Sequence, residues 1–215
     1  MPEARYLVIE GVIGVGKTSL ATRLAEHLAA RPFLEEVDEN PFLAKFYAEP
    51  RSYAFSTQLF FLLSRYRQQQ ELSQLDLFGG GIVADYLFAK DKIFAYVNLD
   101  ENELKLYEKV LSLIEGEIIR PDLVVYLQAP TSLLLKRIRD RARPYETPLS
   151  PEYLNTLNEA YNHYFFHYNE SPLLVVNVQD IDFVNDPEDF ADLARAINNT
   201  FSGTRYYVPS SHHKT

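Results

Sequence analysis

Residues 11–18 are Gly11-Val-Ile-Gly14-Val-Gly16-Lys17-Thr18, which match the phosphate-binding P-loop pattern Gly-x-x-x-x-Gly-Lys-Thr in full. An apolar run with the composition of a buried strand, Tyr6–Glu10, precedes the stretch, and a helical pattern begins at Lys17. In such a loop the backbone N–H groups point inward at phosphate oxygens, and the positive end of the helix dipole lies behind them. The stretch therefore predicts a binding site for the phosphates of a nucleotide.

The loop also predicts which atoms hold ATP and Mg²⁺. We expect Lys17 to reach the β- and γ-phosphates and Thr18 to offer its hydroxyl to Mg²⁺. The nucleotide-binding residues predicted in this way are Gly11, Gly14, Val15, Gly16, Lys17, Thr18 and Ser19. A P-loop does not by itself separate a kinase from a GTPase or an ATPase. Asp76-Leu-Phe-Gly79 imitates a GTPase switch motif, but no Asn-Lys-x-Asp guanine-binding element follows it.

Short apolar runs and longer segments of helical period alternate along the chain. The apolar runs predict buried strands at Tyr6–Ile9, Phe33–Val37, Ile82–Ala84, Leu123–Leu127 and Leu173–Val178. The longer segments predict helices at Ser52–Gln74, Glu101–Glu117, Thr131–Arg141, Ser150–Tyr168 and Pro187–Phe201. This alternation indicates an α/β fold with a parallel sheet of about five strands and helices on both faces.

The length and composition suit one domain. A chain of 215 residues, 47% hydrophobic and 24% charged, can bury about 70% of its unfolded surface around a single core. We assign residues 1–201 to this domain. Residues 202–215 have no hydrophobic periodicity, and we expect them to form a flexible tail.

Charge and hydropathy restrict the partners and the location. A net charge of −9 argues against nucleic acid as a partner, because binding a polyphosphate depends on Lys and Arg. Hydrophobic runs are far shorter than the roughly 20 residues of a membrane span, and the N-terminus does not have the pattern of a secretory signal. The chain contains no Cys, which excludes disulfides and fits a reducing cytosol. We therefore expect a cytoplasmic protein that binds a small polyanion and no membrane.

Two predicted strands are followed by acidic residues. The second strand runs into Leu34-Glu35-Glu36-Val37-Asp38, and the third ends at Asp85. Because ligands bind beyond the carboxyl ends of parallel strands, Glu35 could be the general base for an attacking hydroxyl. An acidic surface loop is an equally good interpretation of these residues. We expect Asp85 to be a partner of Mg²⁺ beside the P-loop, a role that is compatible with capping the next helix.

The longest predicted helix has polar residues within an apolar face. Gln58, Phe61 and Arg65 are spaced i, i+3 and i+7, which places them on one side of the helix. A Gln side chain presents a donor and an acceptor together, which suits the edge of a nucleobase. The alternative is that both polar side chains extend along the apolar surface to solvent.

Arginines crowd one short stretch of this acidic chain. Arg137, Arg139, Arg141 and Arg143 precede a loop that contains Pro144. The pattern predicts a lid whose guanidinium groups contact a transferring phosphate. A solvated basic helix end is the alternative, since basic residues there favour the helix dipole.

Together these stretches resemble the deoxynucleoside kinases, the family of deoxycytidine, deoxyadenosine and deoxyguanosine kinases. The resemblance extends from Gly11 to about Tyr168 and implies the P-loop kinase fold, ATP with Mg²⁺ as the donor, and a homodimer. Glu35-Glu-Val37 is similar to the family's Glu-x-Val element, which implies that Glu35 is the base. The stretch with Arg137, Arg141 and Arg143 is similar to the family's lid.

The resemblance also implies contacts with the acceptor. Tyr47, at the end of Asn40-Pro-Phe-Leu-Ala-Lys-Phe-Tyr47, and Glu146 match residues that contact the sugar 3′-hydroxyl. Gln58, in Phe55-Ser-Thr-Gln58, matches a residue that contacts the base. The same match implies that Arg65 pairs with Asp91 and that Phe94 stacks on the base.

One element departs from the family pattern. The family usually has Asp/Glu-Arg-Ser where this chain has Asp85-Tyr86-Leu87, so the arginine near the 5′-hydroxyl and the base is missing. The Ala84-Asp85-Tyr86 version is similar to bacterial deoxyguanosine kinases. It favours guanine, assigns Asp85 and Tyr86 to the substrate site, and leaves open which residue assists Glu35.

We therefore expect an enzyme of nucleotide salvage that transfers the γ-phosphate of ATP to the 5′-hydroxyl of a purine deoxynucleoside. Deoxyguanosine is favoured, and deoxyadenosine comes next. One alternative is a nucleoside monophosphate kinase such as a thymidylate kinase, whose anionic acceptor would require an Arg where Glu35 stands. The other is a P-loop nucleotide sensor without catalysis.

Overall fold

A parallel sheet forms the centre of the computed structural model, which describes residues 6–75, 80–199 and 201–209. Asp76-Leu-Phe-Gly79 and residues 210–215 lie outside this description. The sheet has the strand order β2-β3-β1-β4-β5-β6, and all five strand pairs are parallel. The strands are β1 (Tyr6–Gly11), β2 (Arg31–Phe33), β3 (Ile82–Ala84), β4 (Leu123–Gln128), β5 (Leu173–Asn177) and β6 (Thr204–Tyr206). The α/β fold class predicted from the sequence is confirmed.

The central strand β1 is buried along its whole length. Its Val8 lies in register with Ala84 of β3 and with Val124 of β4. Strands covered by helices on both faces are apolar without alternation, which is why the short hydrophobic runs predicted them. Glu10 is the exception, a fully buried carboxylate at the end of β1.

Eight α-helices surround the sheet within the described residues. They are α1 (Lys17–His27), α2 (Leu43–Ala48), α3 (Pro50–Leu75), α4 (Lys90–Asn98), α5 (Glu101–Ile114), α6 (Thr131–Arg141), α7 (Pro151–Phe166) and α8 (Pro187–Asn198). Ser150 caps α7 by accepting a hydrogen bond from the Tyr153 N–H, and Pro151 occupies the first turn. None of these helices is long and apolar enough to cross a membrane.

The second strand ends four residues earlier than its sequence predicts. β2 stops at Phe33, and Val37–Glu39 form a turn of 3₁₀ helix. The Glu35 N–H donates to the Asp85 carboxylate at 2.7 Å instead of to a neighbouring strand. The Asp85 side chain thus replaces the backbone acceptor that a neighbouring strand would provide, and Glu35 lies outside the sheet.

The expectation of a flexible tail from residue 202 is wrong for residues 204–206. Thr204–Tyr206 form β6 and pair with Leu173–Val175 of β5, and the Leu173 N–H donates to the Gly203 carbonyl at 3.0 Å. Among the described residues the sheet therefore has six strands, where we expected about five. A three-residue strand that is exposed throughout has no buried face, so no hydrophobic pattern marks it in the sequence.

Candidate active site

A cleft opens at the carboxyl ends of β1, β2 and β3, which are adjacent in the sheet. It lies beyond the carboxyl ends of the strands, where ligands bind in open α/β sheets. It brings together most of the predicted site residues: Gly14, Lys17, Thr18, Glu35, Tyr47, Gln58, Arg65, Asp85, Phe94, Arg141, Arg143 and Glu146. Their roles stay predictions.

The P-loop between β1 and α1 has the backbone that a phosphate site requires. Gly14 has φ +84°, and a Cβ there would lie 2.8 Å from Cγ1 of Ile138, so only glycine fits. Gly16 precedes α1 with φ +107°, and no side chain caps the helix. The N–H groups of the first turn of α1 are therefore left to a ligand.

Lys17 folds back over the loop that precedes it. Its Nζ donates to the carbonyl oxygens of Gly11 at 2.6 Å and Val12 at 3.3 Å. Burial and the nearby Lys90 ammonium lower the pKa of Lys17 to about 8. An anionic phosphate next to this amine would stabilise its charged form, so the position suits ATP.

Thr18 and Asp85 meet beside the loop. The Thr18 hydroxyl donates to Asp85 Oδ2 at 2.5 Å, and burial raises the pKa of Asp85. Hydroxyl and carboxylate oxygens are ligands that Mg²⁺ accepts, and it usually takes one or two protein ligands together with substrate phosphates. In the part of the chain that the structure describes, no group of three His, Cys, Asp or Glu side chains could hold a metal. With Thr18 and Asp85 as its protein ligands, a Mg²⁺ ion would take its other ligands from nucleotide phosphates and water.

Glu35 lies between two buried cations. Its Oε1 accepts hydrogen bonds from Arg65 Nε at 3.0 Å and Nη2 at 2.5 Å, and its Oε2 accepts one from Lys90 Nζ at 2.5 Å. None of the three side chains is more than 8% exposed. Burial opposes ionisation, but Lys90 and Arg65 hold the pKa of Glu35 well below its usual range. The cleft therefore contains a fixed carboxylate next to the P-loop.

Asp91 is a second anionic partner of Arg65. Arg65 Nη1 donates to Asp91 Oδ1, and the Tyr107 hydroxyl donates to Asp91 Oδ2 at 2.7 Å. Burial raises the pKa of Asp91 to about 6, although Arg65 favours the charged form. Gln58 Nε2 donates to the Asp91 carbonyl at 3.2 Å. The expected Arg65–Asp91 pair is thus formed, with Arg65 and Gln58 facing the cleft and Asp91 buried.

Three of the arginines that follow β4 differ in their hydrogen-bond partners. Arg137 Nη1 donates to the Val15 carbonyl of the P-loop at 2.8 Å. Arg141 Nη2 donates to both carboxylate oxygens of Glu146, at 2.7 and 2.9 Å. Arg143 Nη1 donates to the Tyr145 hydroxyl at 2.9 Å. Arg137 does not line the cleft itself, whereas Arg141 and Arg143 do.

Tyr47 and Glu146 are close to each other on the far side of the cleft. Burial, with Tyr153 and Glu146 nearby, raises the pKa of Tyr47 well above its ordinary value. The Tyr47 ring lies nearly parallel to that of Tyr145, with 6.2 Å between the centroids. This corner presents a phenol and a carboxylate, a pair that can bind a sugar hydroxyl.

Tyr86 does not lie where its assignment to the substrate site requires. Its side chain is 0% exposed, packs against Phe33 with 6.3 Å between ring centroids, and does not line the cleft. The alternation of side chains at the end of β3 turns Asp85 toward the P-loop, and the next residue faces the core instead. The expected contact between Tyr86 and a substrate is therefore corrected to a packing role.

A second cavity lies on the other side of the P-loop. It is lined by Gly14, Gly16, Ser19, Arg137 and Arg141, and by most residues of the segment Gln179–Asp189. The sequence did not single out this segment, because its residues have no motif of their own. Lys90 was also missed, and the only signal was an isolated Lys at the start of a short helix four residues after Tyr86.

Comparison with known proteins places this arrangement in context. A family model described as deoxynucleoside kinase matches residues 7–202. Deoxyguanosine kinase from Bacillus subtilis (strain 168) is 34% identical over 199 residues, which are 90% of this chain and 96% of that protein. Deoxyadenosine kinase from Dictyostelium discoideum is also 34% identical over 199 residues, 90% of this chain and 79% of that protein.

A solved structure of a deoxyadenosine kinase is also similar to this chain. The structure of deoxyadenosine kinase from M. mycoides with bound dCTP has a TM-score of 0.70 and 27% identity. It covers 80% of this chain and 89% of that chain.

Proposed function

Because this chain belongs to the deoxynucleoside kinase family, we propose that it phosphorylates the 5′-hydroxyl of a purine deoxynucleoside, with deoxyguanosine preferred to deoxyadenosine. The chain is an ATP-dependent phosphotransferase that acts on deoxynucleosides. The observation that carries the assignment of a 5′-hydroxyl acceptor is Glu35, a buried carboxylate between the P-loop and the Arg65 guanidinium. We further propose that Mg²⁺ takes part, held by Thr18, Asp85 and the ATP phosphates. The expected homodimer and cytoplasmic location stay predictions.

The P-loop indicates where ATP, the phosphate donor, would bind. The N–H groups of the first turn of α1 and the Lys17 ammonium would hold the ATP phosphates. The second cavity, with Arg137 and Gln179–Asp189 in its wall, would hold the remainder of ATP. Mg²⁺, when bound, would neutralise phosphate charge. This arrangement directs the γ-phosphate from the P-loop toward Glu35.

The position of Glu35 indicates where the acceptor hydroxyl would bind. A carboxylate offers about four lone-pair positions, and Arg65 and Lys90 occupy three of them. The remaining position on Oε2 can accept the 5′-hydroxyl proton. As the hydroxyl oxygen bonds to the γ-phosphorus, its proton moves to Glu35 and the bond to the leaving ADP breaks. Arg143, from the lid, would stabilise charge on the transferring group.

The sugar would be bound at the opposite corner of the cleft. Tyr47 can donate a hydrogen bond to the 3′-hydroxyl, and the Glu146 carboxylate can accept one from it. Arg141 holds both oxygens of Glu146, so it fixes the direction in which that acceptor points. Two groups that require a 3′-hydroxyl favour a nucleoside over a 3′-modified analogue.

Hydrogen bonding in the base region favours guanine. Both Asp91 oxygens are occupied, by Arg65 and by Tyr107, so the guanidinium is what this pair presents to the cleft. Guanine offers two adjacent acceptors, O6 and N7, to an arginine, whereas adenine offers a donor in place of O6. Gln58 uses its N–H on the Asp91 carbonyl, so its amide oxygen can accept from guanine N1–H. Phe94 would stack on the base.

Deoxyadenosine is the second candidate because of the relatives. Proteins named deoxyadenosine kinase or deoxyadenosine/deoxycytidine kinase are similar to this chain at 30% identity or more. Adenine could still use its N7 acceptor on Arg65 and donate its amino group to Gln58. We expect it to be phosphorylated with a lower kcat/KM.

A coupled assay of ADP release tests the proposal. The acceptors would be deoxyguanosine, deoxyadenosine, deoxycytidine, thymidine and deoxyguanosine monophosphate, each with ATP and Mg²⁺. We expect the highest kcat/KM for deoxyguanosine and no turnover of the monophosphate, because Glu35 would repel its phosphate. A preference for a pyrimidine would contradict the purine assignment, and turnover of the monophosphate alone would contradict the acceptor assignment.

A further inference from the structure

The ammonium of Lys90 contacts the same carboxylate that the proposed reaction depends on. Lys90 begins α4, its side chain is 8% exposed, and its Nζ lies 2.5 Å from Glu35 Oε2. It also lines the cleft. A buried lysine is costly unless it is paired, and Glu35 provides the partner here.

The two cations on Glu35 hold different atoms of it. Arg65 donates two hydrogen bonds to Oε1, and it also donates one to the Asp91 carboxylate, which holds it in place. Lys90 takes Oε2, the oxygen with a position left for the acceptor hydroxyl. A carboxylate held at Oε1 alone could still rotate about its terminal torsion, which is broad in side chains. The contact with Lys90 removes that freedom.

The stretch Asp85-Tyr86-Leu87 has no arginine. The side chain at position 86 is a tyrosine buried against Phe33, away from the cleft. Four residues later, Lys90 reaches the cleft from the start of α4 and provides a positive charge at the acceptor site.

We propose that Lys90 is the positioning residue for Glu35, holding Oε2 in the direction from which it accepts the 5′-hydroxyl proton. This inference rests on the proposed function. Lys90 acts through Glu35, so its removal affects the rate much more than binding, although its Nζ also lies 5.6 Å from the centroid of the Phe94 ring. Arg65, by contrast, serves both Glu35 and the base.

A double-mutant cycle on kcat tests this role. The variants are Lys90→Met, Glu35→Gln and the two combined, with deoxyguanosine as acceptor and its Kd measured by calorimetry. Lys90→Met is expected to lower kcat by roughly 10²-fold and to change Kd by no more than about threefold. In the Glu35→Gln background, the same change should alter kcat by no more than about twofold, because no carboxylate is left to position.

Lys92→Met is the matched control. Lys92 lies on the same helix, is 37% exposed and pairs with Glu115 at the surface, so its loss should leave kcat and Kd unchanged. Lys90→Arg keeps the positive charge and is expected to restore part of the rate lost in Lys90→Met. It also provides the test if Lys90→Met does not unfold cooperatively, because a folded Lys90→Arg variant as slow as Glu35→Gln would overturn the inference.

Three further results would overturn the inference. They are wild-type kcat in Lys90→Met, a Kd that rises as much as kcat falls, and losses that multiply in the combined variant. These outcomes differ from failure of the proposed function, in which the unmodified protein would turn over no deoxynucleoside at all.

Discussion

Replacing Glu35 by Gln should have two separate consequences. Gln keeps the size of the side chain and one acceptor oxygen, but it cannot take the proton of a 5′-hydroxyl. It also removes the anion between Arg65 and Lys90, both of which are buried. We therefore expect a slower reaction and a less stable protein, which independent measurements can separate.

The sizes of both effects follow from these contacts. Loss of a general base lowers the rate by roughly 10²–10⁴-fold, and each factor of ten corresponds to about 1.4 kcal/mol of activation free energy. Breaking a buried ion pair costs about 3–5 kcal/mol of unfolding free energy. In a chain of this length, each kcal/mol lowers the melting temperature by about 2–4 °C. We expect Glu35→Gln to melt roughly 6–20 °C below the wild type.

The assay is single-turnover phosphorylation of deoxyguanosine at a temperature where both proteins are folded, with melting followed by circular dichroism. Glu36→Gln is the control, because Glu36 is 39% exposed and pairs with Arg67 at the surface. The control should match the wild type in rate and in melting temperature. If Glu35→Gln reacted at the wild-type rate, or if Glu36→Gln were the slow variant, Glu35 would not be the base.

Other variants test the remaining parts of the site. Lys17→Ala should abolish turnover, because its amine neutralises charge on the transferring phosphate; steady-state activity within a few-fold of wild type would contradict the ATP site. Arg143→Ala should lower kcat much more than it raises KM, and a rise in KM alone would exclude a lid role. Arg141→Ala should change both kcat and KM, because Arg141 also fixes the carboxylate of Glu146, which is expected to bind the sugar. Tyr107→Phe leaves Asp91 without one hydrogen bond and should cost about 1–3 kcal/mol in urea denaturation; unchanged stability would show that the bond contributes nothing.

The parts of the fold that are visible in the sequence are those with a strong local cause. The P-loop lies between β1 and α1 as predicted, because glycine geometry and the following helix are both encoded locally. The helix Thr131–Arg141 has the predicted bounds. β2 was predicted too long because the partner of the Glu35 N–H is a side chain fifty residues away, which no local pattern can indicate.

A site residue was predictable where a local motif determines its position. It was not predictable where the tertiary structure determines which way its side chain points. The carboxylate of Glu35 and the arginine on α3 were both singled out from local chemistry, and the structure brings them together. The direction of Tyr86 into the core and the reach of Lys90 into the cleft depend on how β3 leads into α4. Most residues of Gln179–Asp189 line a cavity together with the P-loop, from which they are far apart in the sequence.

The most direct test of the account is to identify the product made from ATP and deoxyguanosine. Phosphorus NMR of the unmodified protein's reaction should show deoxyguanosine 5′-monophosphate and ADP formed in equal amounts, with phosphate on the 5′-oxygen that we place at Glu35. Formation of deoxyguanosine diphosphate from added monophosphate, with no reaction of the nucleoside, would contradict the central claim.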